Sequence, residues 1–600
     1  MYLKCHRRFK DGKEHRYWSI AEKQRISGDR TIDRHVLYLG EINDSQREAW
    51  MKSILAFDEE HQEQRRLALF PADRKIPEHA RDVGVQVQLS KFQLKRPRQW
   101  GACWSFCRLW EQLQLDEFWG ERLKNSREGT SWGHVLMVLT AYRWIDPGSE
   151  WRLHREWYHR SAMGYLLHEG AELAAKDTLY RCLDHLLEHK EALFSFLKER
   201  WQDLFRVNFE VLLYDLTSTY FESDPPFPPG DKRRFGYSRD HRSDCVQVVI
   251  ALIVTAEGFP LAYEVMAGNT LDKTTLPAFL DKIEHRYGKA QRIWVMDRGI
   301  PTEAHLQEMR RRGARYLVGT PKGRLTKLEQ ELTTRRWQQA RPEVQVKLLP
   351  QDDDLYVYVE SQTRIDKERA MRRRKLKWLW RRLHELQRQR PTYQRLLMEL
   401  GAAKKEVGRV FRLVHLFLPE APPKGRQSQR VDFGFTLSRS RLRLARRREG
   451  RYLLRTNLTS TDPAQLWQFY LQLLEVEAAF RDIKGDLSIR PIFHQKMKRI
   501  EAHIFVCFLA YCVQVTFKHQ LRMHAPGLTV RQALEKFAAI QLLDVHFPTT
   551  DGRELIFTRY TEPEDDQQLL LAKLGWSLPP QAPPRITASV ASAAKIAAPV

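Results

Sequence analysis

Apolar runs of strand length follow one another between residues 207 and 320 in an order that restricts the fold. Three runs come in succession and two more alternate with stretches of helical spacing. They span 209–214, 245–255, 259–268, 293–296 and 315–320. Strands that alternate with helices are typical of a sheet with helices packed on its faces. The sequence therefore predicts an α/β unit here.

Two of these runs lead directly into an aspartate. Asp215 follows the first run in YDLTSTYFE, and Asp297 follows the fourth in MDRG. Carboxylates at the C-terminal ends of strands lie at the edge where open α/β sheets bind ligands. A single strand-end aspartate is more often a helix cap or turn former, and the Thr-Ser-Thr after Asp215 is expected to form a turn.

A third acid lies on a predicted amphipathic helix over 466–486, whose apolar residues recur every three or four positions. Tyr470, Glu477 and Lys484 are seven residues apart and share one edge of that helix. One interpretation is a solvated polar row with an ordinary ion pair between Glu477 and Arg481. The other is that Glu477, Asp215 and Asp297 converge on divalent metal ions.

These residues resemble the DDE transposases of bacterial insertion sequences, specifically the IS4-like group and its IS1634 branch. The helix motif of that group is Tyr, two residues, Arg, three residues, Glu, six residues, Lys. The chain matches it at Tyr470, Glu477 and Lys484 but has Leu473 in place of the arginine. The similarity continues through 236–244, 258–272 and 490–511 and covers most of residues 1–545.

The resemblance implies a fold and a set of roles. The fold is an RNase H-like α/β core, whose strand order the apolar runs match, interrupted by a β-rich insertion and preceded by a helical DNA-binding region. Asp215 would bridge two Mg²⁺ ions, with Asp297 and Glu477 on one ion each; Mn²⁺ is a possible substitute. Lys484 and Tyr470 would hold phosphate, with Arg298 and Arg481 as weaker candidates.

The implied function is cut-and-paste transposition on double-stranded DNA, at the element ends and then at a target, by a homodimer in a synaptic complex. Two alternatives remain. One is a nuclease or resolvase of the same fold that cuts without joining, and the other is a catalytically silent DNA-binding relic or regulator. The second alternative remains because Leu473 replaces the arginine of the motif, which would contact a phosphate. An RNA-binding scaffold with incidental acids is disfavoured by the strand-end positions.

A formal net charge of +25 favours a polyanionic partner, although charge alone does not separate nucleic acid from a membrane surface. The most basic stretch, 367–390, holds eleven Lys or Arg against two Glu, with two tryptophans interleaved. The alternative to a DNA-binding surface is a solvated helical hairpin with buried aromatics. The candidate DNA contacts within it are Arg372, Arg373, Arg374, Lys375 and Lys377.

The pattern divides the chain into seven segments. They are a small β/α element at 1–65 with a helix over 45–63, a helical region at 90–205 that is a candidate for binding DNA ends, the first part of the core at 207–320, the insertion at 321–458, the second part of the core at 459–545, a C-terminal element at 546–576 and a disordered Pro- and Ala-rich tail at 577–600. Truncation near Trp576 is expected to leave the fold intact.

Seven scattered cysteines without CxxC pairs indicate a reducing compartment and argue against a zinc module. The first residues have no apolar core of a signal peptide, and the longest apolar run, 504–517, is too short to span a bilayer. We therefore expect a soluble cytoplasmic protein, associated with the nucleoid when bound to DNA, with no membrane partner. His494 and His503 are expected to pack or donate hydrogen bonds, with metal binding the less favoured alternative.

Overall fold

The computed structural model describes residues 1–10, 13–26, 30–42, 53–288, 292–320, 335–351, 353–420, 430–459 and 462–588, together with Leu328 and Glu331. Its architecture is mixed α/β. The strands are β1 (Tyr2–Lys10), β2 (Lys13–Ile26), β3 (Arg30–Glu41), β4 (Ile54–Asp58), β5 (Glu63–Pro71), β6 (Gly84–Val87), β7 (Gln93–Gln99), β8 (Val211–Phe221), β9 (Val246–Thr255), β10 (Pro260–Ala267), β11 (Ile293–Met296), β12 (Arg315–Gly319), β13 (Gln338–Arg341), β14 (Val344–Gln351), β15 (Asp354–Ser361), β16 (Val414–Phe417), β17 (Gly434–Leu437), β18 (Arg451–Thr456), β19 (Gln541–Pro548), β20 (Glu554–Tyr560) and β21 (Arg585–Ile586).

The helices of eight or more residues are α1 (Gly101–Gln112), α2 (Leu115–Arg122), α3 (Trp132–Ile145), α4 (Lys176–Leu183), α5 (Lys190–Phe205), α6 (Leu276–Tyr287), α7 (Glu303–Arg311), α8 (Gln362–Gln389), α9 (Tyr393–Val407), α10 (Arg439–Arg447), α11 (Pro463–Leu471), α12 (Leu473–Lys484), α13 (Met497–His524), α14 (Val530–Ala538) and α15 (Asp565–Leu574). Shorter helical segments are Glu78–Ala80, Leu89–Lys91, Glu150–Arg152, Leu153–Trp157, Tyr158–Arg160, Met163–Leu167, Ala171–Ala174, Leu187–His189, Asp272–Thr274 and Gly408–Leu413.

A nine-stranded central sheet runs in the order β10-β9-β8-β11-β12-β18-β15-β14-β13. Strands β8, β11 and β12 are parallel, while β9 and β10 extend the sheet on one side as antiparallel neighbours. Every residue of β9 is buried, as its continuous run of Val, Ile and Leu requires. The five apolar runs between 207 and 320 are thus the first five strands of this sheet.

Helix α13 is the largest element covering the sheet. By length and composition it could cross a membrane, but 94% of its most apolar window is buried inside the protein. Phe508 packs against Tyr263 of β10 at a ring distance of 4.5 Å, and Thr516 accepts a hydrogen bond from the Trp201 indole of α5 at 2.9 Å. The apolar run 504–517 therefore lies in a helix that is buried inside the protein.

The chain ends meet in a second sheet of seven strands, β6-β5-β4-β21-β20-β19-β7. Its apolar face shares a core with the three-stranded sheet β1-β2-β3, where Val36 and Leu37 pack with Val545 and Phe547. The predicted helix over 45–63 is wrong in its described part, because 54–58 pairs with β5 as a strand. Residues 43–52 lie outside the described residues.

The tail expected to be disordered from residue 577 contains strand β21, which lies between β4 and β20. Ile586 is fully buried, and the Tyr560 carbonyl accepts a hydrogen bond from Gln581 at 2.9 Å. Prolines in this segment lack N–H donors, but neighbouring residues still pair with the sheet. The prediction is wrong for 577–588, and residues 589–600 lie outside the described part of the chain.

The helical region begins later than the pattern suggests, because 93–99 is strand β7 and the helices start at Gly101. The insertion between β12 and α11 is also less uniformly β than expected. Its strands β13, β14, β15 and β18 continue the central sheet, and helices α8 and α9 form a hairpin around a leucine core. Within the insertion, the four-residue strand β17 is followed by helix α10, whose N-cap is Ser438.

Candidate active site

Two aspartates lie side by side in the central sheet. Parallel strands β8 and β11 align Tyr214 with Met296, so the next residues, Asp215 and Asp297, occupy neighbouring positions. Asp297 directly follows its strand, as expected. Asp215 does not, because β8 continues to Phe221 in register with β9. The turn predicted after Asp215 is wrong: that Thr-Ser-Thr segment is buried in the strand.

Glu477 approaches the aspartates from helix α12, which packs on β8 and β9 through Val476, Phe480 and Ile483. The side chain of Glu477 lies beside this buried stripe and is exposed. The pKa of Asp215 is raised to about 7, first by burial and then by the negative charges of Asp297 and Glu477. The three acids therefore share one electrostatic environment.

Among the residues that the structure describes, these carboxylates have no cationic partner. Within the described residues, none of Asp215, Asp297 and Glu477 has a Lys, Arg or His nitrogen within 4.0 Å. The ion pair considered between Glu477 and Arg481 does not form. Glu475, two residues before Glu477, is by contrast paired with Lys518 at 3.4 Å and with Arg522 at 3.0 Å.

The chemistry of the donor set fits a hard divalent cation. All three side chains offer carboxylate oxygen, the ligand that Mg²⁺ and Mn²⁺ prefer. The oxygens of the three acids do not all lie within 4.8 Å of one another. Among the described residues, the side chains whose ligand atoms do lie that close together are Glu150, His494 and His503. Two ions about 3.5 to 4 Å apart can be held by acids that are separated more widely.

Tyr470 lies beside Asp297, although the helix that carries it is broken. The helix predicted over 466–486 is two helices, α11 and α12, separated at Gln472. Burial raises the pKa of Tyr470 to about 12, and the charge of Asp297 contributes while Arg298 opposes it. Tyr470 is thus a neutral hydroxyl next to the acids, with exposed Arg298 close by.

Lys484 is paired with an acid that the sequence pattern did not single out. Its Nζ lies 2.9 Å from Asp240, and Arg490 binds the second oxygen of Asp240 at 3.0 Å. Burial lowers the pKa of Lys484, and the contact with Asp240 opposes that shift. The neighbouring Arg239 contacts Asp272 and acts on the charge of Asp215. The signal for Arg239 and Asp240 was the family resemblance of the segment 236–244, which gave neither residue a role.

The residue that departs from the motif, Leu473, is buried in the main core with only 9% of its surface exposed. It belongs to the apolar stripe of α12, together with Val476 and Phe480. Arg481, on the same helix, is exposed to solvent. At the position of the motif arginine, the chain therefore has an apolar side chain that packs in the core.

The basic stretch forms most of helix α8. Arg373, Arg374, Lys375 and Lys377 are exposed, and we call these four residues the α8 basic face. Arg372, the fifth candidate DNA contact of this stretch, is buried and paired with Glu449. Trp380 packs against Phe435 at 4.9 Å, whereas Trp378 is 42% exposed. The stretch thus combines a hairpin core with an exposed basic surface.

The two histidines form a buried hydrogen-bonded group with Glu150. His503 Nδ1 lies 2.9 Å and His494 Nε2 lies 3.2 Å from the same Glu150 oxygen. Arg143 lies 3.9 Å from that oxygen and donates to the Ser488 carbonyl at 2.9 Å. This group ties α3 and α13 to the loop after α12, in line with the packing role expected for both histidines.

A comparison with protein-family models matches residues 209–513, just over half of the chain, to the transposase DDE domain. The chain belongs to the DDE transposase family. The match contains the acids Asp215, Asp297 and Glu477 and indicates a transposase that acts on DNA. A search of curated proteins gives no match to the chain. The transposase domain thus coincides with the central sheet, α12 and most of α13.

Proposed function

We propose that this transposase cuts DNA at the ends of an insertion sequence and joins the freed 3′-hydroxyl to a target, in cut-and-paste transposition. We assign it to the IS4-like group and its IS1634 branch, on the motif residues Tyr470, Glu477 and Lys484. The observation that carries the proposal is the set of three neighbouring carboxylates for which the described residues provide no cationic partner.

The topology of the central sheet supports an RNase H-like core. Its first five strands in chain order, β8 to β12, lie in the spatial order third, second, first, fourth, fifth. The first three are antiparallel neighbours, and the last two run parallel to the first. Asp215 then lies on the central strand, and Asp297 directly follows the neighbouring strand β11.

Asp215, at the centre of the site, would hold both of two divalent ions, with Asp297 and Glu477 on one each. When bound, Mg²⁺ or Mn²⁺ supplies activation of the attacking oxygen and stabilisation of the leaving oxygen in an in-line displacement. Tyr470 would donate its hydroxyl to a phosphate oxygen beside Asp297. Lys484 would meet a phosphate as a point charge once that phosphate competes with Asp240.

The same proposal names the partners. The α8 basic face and the net charge of +25 suit binding of double-stranded DNA through its phosphates. The helices α1 to α5 are the candidate region for recognising the element ends. Joining two ends requires that they be held together, so we propose that two copies of the chain form a synaptic dimer, on DNA in the bacterial cytoplasm.

The experiment uses labelled duplex from the DNA that flanks the reading frame, with and without Mg²⁺. We expect discrete Mg²⁺-dependent cuts and joined products from the unmodified protein. Asp215→Asn, Asp297→Asn and Glu477→Gln should each abolish cutting while DNA binding remains, because the basic surface is unchanged. Glu475→Gln is the matched control on the same helix, and it should still cut.

Each alternative gives a different result in this assay. Cuts without joined products would indicate a nuclease, and binding without cuts would indicate a silent regulator. Mg²⁺-dependent cutting by a Glu477→Gln variant would refute the assignment of the three acids.

A further inference from the structure

Three large aromatic side chains are exposed on two loops near the three acids. Phe235 and Tyr237 lie on the loop 231–245 with 52% and 83% of their surfaces exposed, and Phe493 lies on the loop 488–496 with 65% exposed. Aromatic side chains of this size usually bury most of their surface. We call these three residues the aromatic triad.

The two loops are tied to each other on both sides of the triad. At one end, Arg233 donates to the Gln495 side chain at 3.0 Å and to its carbonyl at 3.2 Å. At the other end, Arg490 pairs with Asp240 at 3.0 Å. Phe235 and Tyr237 lie between these ties on one loop and Phe493 on the other. The triad therefore lies on two loops that are joined at both ends.

The backbone under the triad is fixed by the buried Gln247 of β9. Its side-chain amide donates to the Tyr237 carbonyl at 3.0 Å and to the Gly268 carbonyl at 2.8 Å, and its backbone pairs with Arg234. Gly236 lies against Gly268 so closely that a Cβ there would meet the Gly268 carbonyl oxygen at 2.1 Å. The exposed rings are thus carried by a rigid support.

The surface lies a few strand positions from the acids. Gln247 pairs with Tyr220, five residues beyond Asp215 on β8, which corresponds to about 16 Å along the strand. The Arg239 N–H donates to Ser218 Oγ at 3.4 Å, three residues beyond Asp215 and thus about 10 Å away. At the duplex rise of about 3.4 Å per nucleotide, DNA leaving the acids would reach this support within about three to five nucleotides, and an extended single strand would need fewer.

Basic side chains lie on the two loops of the triad and beside them. Arg234 precedes Phe235, Arg239 follows Tyr237, and Lys484 and Arg490 lie on the far side of Asp240. Such a mixture of exposed rings and cations is suited to single-stranded nucleic acid, whose bases stack on aromatic faces while its phosphates meet the cations. Bases within a duplex are already stacked and cannot do so.

We propose that the aromatic triad is a stacking surface for unpaired bases of the DNA strand next to the cut. This inference rests on the proposed function, because it assumes that DNA lies over Asp215, Asp297 and Glu477. It adds that the end of the element is opened near the cut. The surface takes any base, since every base has a π face.

The test measures binding in EDTA, so that it does not depend on cutting. One probe is the flanking duplex with five unpaired nucleotides at the cut position, carrying 2-aminopurine among them; the other is the fully paired duplex. We expect tighter binding of the opened probe and quenching of the 2-aminopurine fluorescence on stacking. Removing one stacked ring should weaken binding of the opened probe by about fivefold or more.

The variants are Phe235→Ala, Tyr237→Ala and Phe493→Ala, with Tyr237→Trp as the conservative variant that should retain the preference. Phe417→Ala is the matched control, because Phe417 is also 52% exposed but lies on β16 in the insertion. Equal weakening on both probes, or no quenching by the unmodified protein, would overturn the stacking surface. Circular dichroism and melting of each variant exclude misfolding as the cause of weaker binding.

The stacking surface and the proposed function fail in different ways. Mg²⁺-dependent cutting by a protein with no preference for the opened probe would overturn the stacking surface and leave the function intact. A preference that is absent from the triad variants, without any cutting by the unmodified protein, would refute the function and retain the surface.

Discussion

Replacing Asp215 by asparagine should stabilise the metal-free protein at neutral and alkaline pH. Burial and two neighbouring negative charges raise the pKa of this carboxyl from its ordinary 3.8 to about 7 in the folded chain. The folded protein therefore binds a proton more tightly at Asp215 than the unfolded chain does. Above the folded pKa, the ionised carboxylate opposes folding, and asparagine removes that charge with little change in shape.

The magnitude follows from linkage between the proton and folding. A rise of about three pH units is equivalent to about 4 kcal/mol, at about 1.36 kcal/mol per unit. Since Asp215 keeps part of its surface in water, we expect about 2 to 4 kcal/mol. Below pH 3.8 the carboxyl is protonated in both states and has no effect. The penalty grows between pH 3.8 and about 7 and is constant above that.

The assay compares melting temperatures of both proteins in EDTA at intervals from about pH 4.5 to about pH 8.5, which brackets the folded pKa. The advantage of Asp215→Asn should be small at the acid end, grow to neutral pH and then level off. Adding Mg²⁺ at alkaline pH should stabilise the unmodified protein and leave the variant unchanged, because the ion compensates the charge of Asp215. Asp240→Asn is the control with the opposite sign, since it breaks the contacts to Lys484 and Arg490.

Two results would refute this reasoning. An Asp215→Asn variant that melts below the unmodified protein at alkaline pH would mean that the carboxylate is compensated inside the protein. A difference between the two proteins that stays constant over the whole pH series would mean that Asp215 does not titrate in this range.

Three further predictions concern other parts of the chain. Neutralising the α8 basic face should weaken DNA binding. It should also lower the steepness of log affinity against log salt by about 0.9 for each phosphate that is no longer neutralised. Arg372→Ala should instead mainly lower the melting temperature, because Arg372 pairs with Glu449 inside the protein. Leu473→Arg should cost about 3 to 5 kcal/mol of folding free energy in urea unfolding, since it buries a charge, and a stable, faster-cutting variant would contradict this. A chain ending at residue 576 should melt earlier than one ending at 588, because it lacks β21, and equal melting would show that β21 adds nothing.

Much of the central sheet could be predicted from the sequence because its strands are buried on both faces. The runs that became β9, β11 and β12 are continuous and apolar, and each is bounded by turn residues. Strand β8 was predicted to stop at Asp215 because polar residues follow. It continues because β9 pairs with it as far as Phe221 and satisfies its backbone, an interaction that a local pattern does not contain.

The misses at the chain ends have the same physical origin. Residues 54–58 and 585–586 are short segments with weak patterns of their own, and they become strands β4 and β21 by pairing with each other. These partners lie near opposite ends of the sequence. The break at Gln472 is a different case: we find no feature of the sequence that would have indicated it.

The three acids of the candidate site could be predicted from the sequence, but the acid beside Lys484 could not. Asp215, Asp297 and Glu477 stand at positions marked by strands and by a helix, whereas Asp240 stands in a loop without a periodic pattern. A contact such as that between Asp240 and Lys484 joins two residues 244 positions apart. Only the folded chain could show that the lysine of the motif has an acid beside it.

The charge balance of the chain gives the three acids their significance. The sequence holds 100 Lys and Arg against 75 Asp and Glu, so a carboxylate in this protein has many cations available to it. Neighbouring acids such as Asp240, Asp272 and Glu475 are paired, as an ordinary structural role requires. In the described part of the chain the three site acids have no such partner, and at Asp215 burial and the charges of Asp297 and Glu477 make that arrangement costly. The divalent ions that we propose for this site would compensate that charge, and they would also supply the chemistry that phosphodiester cleavage needs.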